Sequence, residues 1–342
     1  MPIIRARAPL RISFGGGGTD VPPYCDERGG AVLSAAVNRY ACATLVPNGN
    51  KRFEVQSLDY DASISYALED PFVYDGQLDL AKGVLDHFRR ANGFSEGLEI
   101  FLHNDAPPGS GLGSSSAITV ALIRAIAEYL RVPLDNYQLA ELAYRIERVE
   151  VGIKGGKQDQ YAAAFGGFSF MEFHDGVTVV NSLRLRPETI CELEYSLVFA
   201  YVGGQHFSAH IIEKQVENYR RGREEAVQAM DKLKELAYEM KNALLLGRLR
   251  EFGELLHVAW ENKKRMAEGI SNPRIDEVYH EARQAGALGG KISGAGGGGF
   301  MFFFCDPRRR FAVQEAVKRL GGQLVQLSFV KEGVQTWAVE WA

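Results

Sequence analysis

Apolar and polar positions alternate from Ile3 to Ala8, the period-two pattern of a half-buried strand, and the pattern breaks at Gly15 to Asp20. Residues 31–46 are rich in Ala, Val and Leu and predict a long strand ending at Pro47. Asn48-Gly49-Asn50 then predicts a turn, with Phe53 to Ser57 returning as a strand. Residues 80–91 predict a helix, Leu98 to His103 a strand and Asn104 to Gly113 a loop. Helical periodicity runs from Ala117 to Leu130 and ends before Pro133. Asp135 predicts the N-cap of a further helix that extends to about Glu150. A glycine-rich stretch over 152–167 holds a short helix at Tyr161 to Phe165. Strands follow at Phe168 to Phe173 and Val177 to Val180, joined at Asp175-Gly176.

The second half opens with a strand at Leu197 to Val202 and continues with helices over 208–246, 248–268 and 273–285. Its tail predicts a strand at 300–305, a helix at 308–320 and strands at 323–330 and 334–340. The boundary falls near residues 183–193, around Pro187, giving lobes 1–187 and 188–342. Strands and helices do not alternate as regular βαβ units, so the fold class is α+β.

Composition changes the picture at one residue type. Glycine supplies 37 of 342 residues, and nineteen of them fall in the windows 15–18, 109–113, 152–167 and 289–299. Clustered glycine in a well-patterned chain marks places where backbone must approach something closely. The net charge of −4, with no block of like charges, argues against nucleic-acid or anionic-membrane binding. Cys25, Cys42, Cys191 and Cys305 have no metal or redox spacing, which predicts a cytoplasmic protein. The first fourteen residues lack the apolar run of a signal peptide, and no long apolar run predicts a membrane span.

Each glycine loop has its own chemistry. In Arg11-Ile-Ser-Phe-Gly-Gly-Gly17-Gly18-Thr19-Asp20, bare backbone precedes a hydroxyl and a carboxylate that suit a polyhydroxylated ligand, or a flexible turn. Pro108-Gly109-Ser110-Gly111-Leu112-Gly113-Ser114-Ser115-Ser116-Ala117 follows a strand and opens a helix. A helix N-terminus presents free N–H groups and partial positive charge, so phosphate binding is favoured there over a plain cap. The loop lacks the lysine of a Walker A motif and the third glycine of a dinucleotide fingerprint. Gly294, Gly296 and Gly299 match G-x-G-x-x-G, but the apolar run Phe300 to Cys305 after them predicts a strand rather than a helix. That loop, Gly297 included, is either a close-approach loop or a tight turn. Glu147, Lys157 and Asp159 bring carboxylates and a cation to the remaining glycine-rich stretch, where acid–base work, a divalent metal or simple loop bonding are all open. His206 and His210 lie four apart without the glutamate of a zinc motif.

In this order the loops resemble the GHMP small-molecule kinases, which include galactokinase, homoserine kinase and mevalonate kinase. Pro108 to Ala117 is similar to their central phosphate motif and Lys291 to Gly299 to their C-terminal motif. The opening Ala8-Pro-Leu-Arg11-Ile-Ser-Phe-Gly-Gly-Gly-Gly-Thr19-Asp20-Val-Pro-Pro-Tyr24 resembles the D-glycero-D-manno-heptose 7-phosphate kinase branch and lacks the G-E-H-T-D of galactokinases. His206 stands where that branch often has Arg.

The resemblance implies a two-domain GHMP kinase fold, with a ribosomal-protein-S5-domain-2-like N-terminal lobe and a ferredoxin-like C-terminal lobe. It implies ATP along residues 108–116 and Mg²⁺ on Ser115 and Glu147. In galactokinase the metal-binding carboxylate lies twelve residues before the catalytic Asp, the spacing of Glu147 and Asp159 here. It implies Asp159 as the catalytic carboxylate with Arg11 beside it. Gly17, Gly18, Thr19, Asp20 and Lys157 would face the sugar, and Gly294, Gly296 and Gly297 would close over it. The activity implied is phosphorylation of a heptose 7-phosphate at its anomeric O1. A kinase for a free fucose- or galactose-type sugar and a non-catalytic sugar sensor are the alternatives.

Overall fold

A computed structural model describes residues 2–59, 61–107, 109–204 and 208–340. Among these residues the first sheet has eight strands. They are β1 (Ile3–Gly15), β2 (Gly30–Pro47), β3 (Arg52–Ser57), β4 (Ala62–Ala67), β5 (Leu98–Asn104), β6 (Phe168–His174), β7 (Val177–Ser182) and, from the far end of the chain, β12 (Gln335–Val339). The order is β12-β1-β2-β5-β3-β4, and β6 also pairs with β2 and carries β7. Strand β2 is long enough to divide its second edge: Gly30 to Ala35 pairs with β6, and Ala41 to Pro47 with β5. The helices of this lobe are α1 (Tyr24–Arg28), α2 (Asp79–Ala91), α3 (Ser114–Leu130), α4 (Asn136–Tyr144) and α5 (Gln158–Phe165).

The second sheet contains β8 (Leu197–Tyr201), β9 (Ala287–Ile292), β10 (Phe300–Cys305) and β11 (Gln323–Val325), in the antiparallel order β11-β8-β10-β9. That is the split βαβ arrangement of ferredoxin-like folds, as expected. Its helices are α6 (Pro187–Ser196), α7 (Ser208–Arg220), α8 (Glu224–Leu245), α9 (Leu249–Met266), α10 (Pro273–Gln284) and α11 (Arg310–Arg319). No helix among the described residues is long and apolar enough to cross a membrane.

The strand expected at 323–330 is only β11, the helix expected over 208–246 breaks between α7 and α8, and two further expectations about pairing change. The turn at 48–50 does not fold β3 back onto β2. Strand β5 stands between them, and β3 pairs with β5 in parallel and with β4 antiparallel. The loop opens because Gly97, just before β5, takes its place: Gly97 N–H donates to Asn50 O, and Asn48 N–H donates to Gly97 O. The boundary at 187/188 also fails to divide the sheets, because β12 crosses back and pairs with β1 from Ile3–Val339 to Arg7–Gln335.

Strand β1 explains how the lobes join. Its first half alternates between partly and fully buried positions, and from Ala8 onward every residue is buried. Phe14 meets Phe252 of α9 and Phe302 of β10 edge-on, with ring centroids 5.4 and 5.6 Å apart. Apolar burial across the boundary therefore fixes the end of β1, and with it Arg11 and the first glycine loop, against the C-terminal lobe.

Candidate active site

A cavity of about 890 Å³ lies between the lobes. One wall is the loop before α3. Gly113 precedes the helix and no side chain caps its first turn, so N–H groups of a 17-residue helix remain for an anion. Gly109, Gly111, Gly113, Ser114 and Ser115 line the cavity. Ser110 and Leu112 instead tie the loop down: Phe300 N–H donates to Ser110 O at 3.0 Å, and Arg11 N–H to Leu112 O at 3.0 Å. Pro108 lies outside the described residues, as does His206.

Two glycines let the lobes touch here. A Cβ at Gly111 would stand 2.3 Å from Ser293 O, and one at Gly294 would stand 2.8 Å from Gly111 Cα. Both have positive φ, so any other residue would be strained as well as blocked. Ser293 completes the join by donating its hydroxyl to Gly111 O at 2.9 Å.

Arg11 and Asp159 meet beside this loop. Arg11 donates from Nε to Asp159 Oδ1 at 2.7 Å, and its Nη2 lies 2.6 Å from the same oxygen. Its Nη1 donates to Gly111 O at 2.6 Å. Arg11 is buried, while Asp159, in the first turn of α5, keeps 19% of its side chain exposed. A Cβ at Gly113 would be 3.4 Å from Asp159 Cγ, so the carboxylate borders the phosphate loop.

Glu147 stands behind Ser115. The helix begun by α4 has the predicted cap, with Asp135 accepting from Gln138 N–H at 2.8 Å, and it continues to Glu150. Its last stretch, Arg145–Glu150, is a π-helix, and Val151 N–H donates five residues back to Ile146 O. This widened turn carries Glu147, whose side chain is fully buried. Its carboxylate accepts from Ser115 (2.9 Å), Ser116 (2.7 Å) and Gln160 (2.6 Å), and Arg148 pairs with it at 3.2 Å. Ser115 lines the cavity, and its Oγ connects it to the buried Glu147 Oε1 2.9 Å behind, a pair of hard oxygens. This fits Mg²⁺, which takes one or two carboxylates and completes its shell with phosphate and water. Among the described residues no cluster of three or more His, Cys, Asp or Glu offers a site of another kind.

The opposite wall sorts the remaining expectations. Gly17, Gly18, Asp20 and Gly294 line the cavity. The Asp20 carboxylate is also the brace of its own loop, accepting from Gly18 N–H, Gln158 N–H and Gln158 Nε2 at 3.0–3.1 Å. Thr19 does not face a ligand. It is fully buried, and its hydroxyl donates to Gly16 O at 2.8 Å, lies 3.1 Å from Ala31 O and accepts from Ala31 N–H. Lys157 turns away as well, with Nζ 3.2 Å from Asp26 Oδ1 and over the Tyr144 ring. Gly296 and Gly297 pack on Ile270, whose carbonyl accepts from Gly297 N–H.

Three groups in the cavity escape the sequence reading. Gln215 of α7 donates to Gly18 O at 2.7 Å and bridges the lobes. An apolar end contains Leu78, Ile118 and Leu122. Lys263 of α9 lines the cavity at 4% exposure and donates to Gly294 O at 2.6 Å. Burial pulls its ammonium down to about 8; Asp20 and Asp159 oppose the shift, and Arg11 adds to it. Nearby Lys291, which donates to Ser13 O, is pushed well below the ordinary lysine value by burial.

Comparison with known proteins agrees with this fold. Residues 79–167 match the GHMP kinases N terminal domain, and residues 224–323 match the GHMP kinases C terminal. The chain belongs to the GHMP kinases. Within them it is an ATP-dependent sugar kinase. It is 38% identical to the D-glycero-alpha-D-manno-heptose 7-phosphate kinase of Campylobacter jejuni, over 99% of this chain and all of that one. A D-glycero-D-manno-heptose 1-phosphate kinase from Bacteriodes thetaiotaomicron superposes with a TM-score of 0.84 at 36% identity, over 99% of this chain and 100% of that one. A bifunctional fucokinase/GDP-fucose pyrophosphorylase of Arabidopsis thaliana is 28% identical over 98% of this chain, which spans 32% of that protein.

Proposed function

We propose that this kinase transfers the γ-phosphoryl group of ATP to the anomeric O1 of D-glycero-D-manno-heptose 7-phosphate. The product is the 1,7-bisphosphate, a precursor for a nucleotide-activated heptose, made in the cytoplasm. The observation that carries the mechanism is the Arg11–Asp159 pair beside the phosphate loop. The full-length identity to the Campylobacter jejuni heptose 7-phosphate kinase supports the acceptor.

In this reading the adenine and ribose occupy the apolar end, and the phosphates run along Gly109 to Ser115 to the start of α3. Asp159 accepts the proton of O1, the O1–phosphorus bond forms, and the bond to the β-phosphate oxygen breaks to release ADP. Arg11 aims Asp159 through its two contacts to Oδ1, and its charge faces the group in transit. Ser115 and Glu147 would hold Mg²⁺, which supplies charge neutralisation on the phosphate oxygens. Gly17, Gly18 and Asp20 form the sugar side, and Gly294 closes it from the second lobe. Phosphoryl transfer needs positioning and charge more than covalent help, and these groups provide both.

A sugar panel with product NMR tests the reading. Phosphorylation of the heptose 7-phosphate at O1 is expected, with free fucose, galactose and heptose turned over far more slowly. Preference for a free sugar overturns the assignment, as does a new phosphate at any other position. Tight sugar and ATP binding without turnover would point to a sensor instead.

A further inference from the structure

The cavity has more cations than the mechanism above uses, and they differ in how many donors they have left. Arg11 spends its groups on Asp159, Gly111 O and Ser293. Arg148 spends its own on Gly156 O, Ile153 O, Ser116 and Glu147. Lys154 is exposed at the rim. Lys263 is buried and, among the described residues, makes one hydrogen bond, to Gly294 O. An ammonium has three N–H donors, so two remain, and a buried donor without a partner is costly.

The position says what such a group meets. Gly17 is the glycine opposite, where a Cβ would stand 3.8 Å from Lys263 Nζ. The charged groups that face it are Asp20, Asp159 from α5, Arg11 from β1 and Lys291 from β9. Neither carboxylate forms an ion pair with it, because Asp159 is bound to Arg11 and Asp20 to Gln158 and Gly18. A ligand seated between Gly17 and Asp159 is the partner that would fill its remaining valences.

We infer that Lys263 is a substrate-contacting residue of the acceptor subsite, donating hydrogen bonds to oxygens of a polyhydroxylated acceptor next to the hydroxyl that is phosphorylated. The inference rests on the reading of the cavity as a sugar-kinase site. A lysine that served only as a latch for Gly294 would affect both substrates and the stability of the lobe contact. A lysine that touches the acceptor affects the acceptor alone.

The full-length protein is assayed as wild type, Lys263→Met and Lys263→Arg with the best acceptor of the sugar panel. Lys263→Met is expected to lower kcat/KM for the acceptor by roughly 10–100-fold, the size of lost hydrogen bonds to a charged group. Affinity for a non-hydrolysable ATP analogue should stay unchanged. A loss below about tenfold overturns the inference, as does an equal loss of nucleotide affinity. Should Lys263→Met fail to fold, the pH profile of Lys263→Arg decides. Wild-type kcat/KM for the acceptor should fall as pH rises through about 8, where Lys263 loses its proton, and the arginine variant should move that fall upward. Identical profiles overturn the inference. If the panel selects a sugar other than the heptose phosphate, the substrate assignment fails while the Lys263 comparison, run on that sugar, still gives its own answer.

Discussion

The two ends of the cavity are assembled in opposite ways. At the phosphate-loop end, Gly109 to Ser115 are consecutive and lead into the start of α3, and Glu147 is held by four side chains. At the other end, Gly17 and Asp20, Gln215, Lys263 and Gly294 come from four separate stretches and both lobes. The first end is preformed, with its carboxylate fully satisfied. The second keeps a buried cation with spare donors. A site for a donor shared by many enzymes can be one local motif, whereas a site that selects an acceptor must draw on whatever the fold brings near.

The strongest test of this contrast is Asp159→Asn, which removes the proton acceptor between the two ends. Turnover is expected to fall by about 10²–10⁴ while binding of a labelled ATP analogue persists, since the loop N–H groups are untouched. Equal loss of nucleotide binding would merge the two ends into one unit. Glu147→Gln comes next. It keeps the shape and removes the charge that Ser115, Ser116, Gln160 and Arg148 face. A loss of roughly 10²-fold is expected, with a higher Mg²⁺ concentration needed for half-maximal rate. An unchanged Mg²⁺ titration would remove Glu147 from the metal. The smallest effect belongs to Thr19→Val, which removes the hydroxyl that Ala31 N–H donates to, while Gly16 O keeps the backbone N–H of residue 19. Denaturant unfolding should show a loss of about 1–3 kcal/mol with kcat near wild type. A kinetic defect without a stability defect would return Thr19 to the acceptor site.

What the sequence made legible follows the same division. The central loop could be read because its glycines, serines and helix start are contiguous. Asp159 and Glu147 stand out locally only as carboxylates in a glycine-rich stretch, and their separate roles come from the spacing in the family they resemble. Lys263 was missed because Glu261-Asn262-Lys263-Lys264-Arg265 reads as a solvated run. A signal was present: Leu256, Ala259, Trp260, Lys263 and Met266 recur at helical spacing and all are buried, so the lysine sits in the apolar stripe. Thr19 and Lys157 were misplaced for the reverse reason. A hydroxyl or ammonium beside a glycine loop does not reveal whether the backbone or a neighbouring Asp26 already holds it. Local pattern gave strands at 53–57 and 334–340, but pairing partners depend on chain that arrives from far away, and both went to unexpected neighbours.

That distant pairing bears on how the protein is made. Strand β1 leaves the ribosome with its outer edge bare, and its partner there, β12, is synthesised long after it. The Arg7–Gln335 bond spans 328 positions. Until β12 is made, Ile3 to Arg7 present unpaired N–H and C=O groups that any other strand could take up. Closing so long a loop is slow. A chain stopped short of Gln335 would keep the phosphate loop, Asp159 and Lys263 and still be prone to aggregate, so β12 guards solubility more than chemistry.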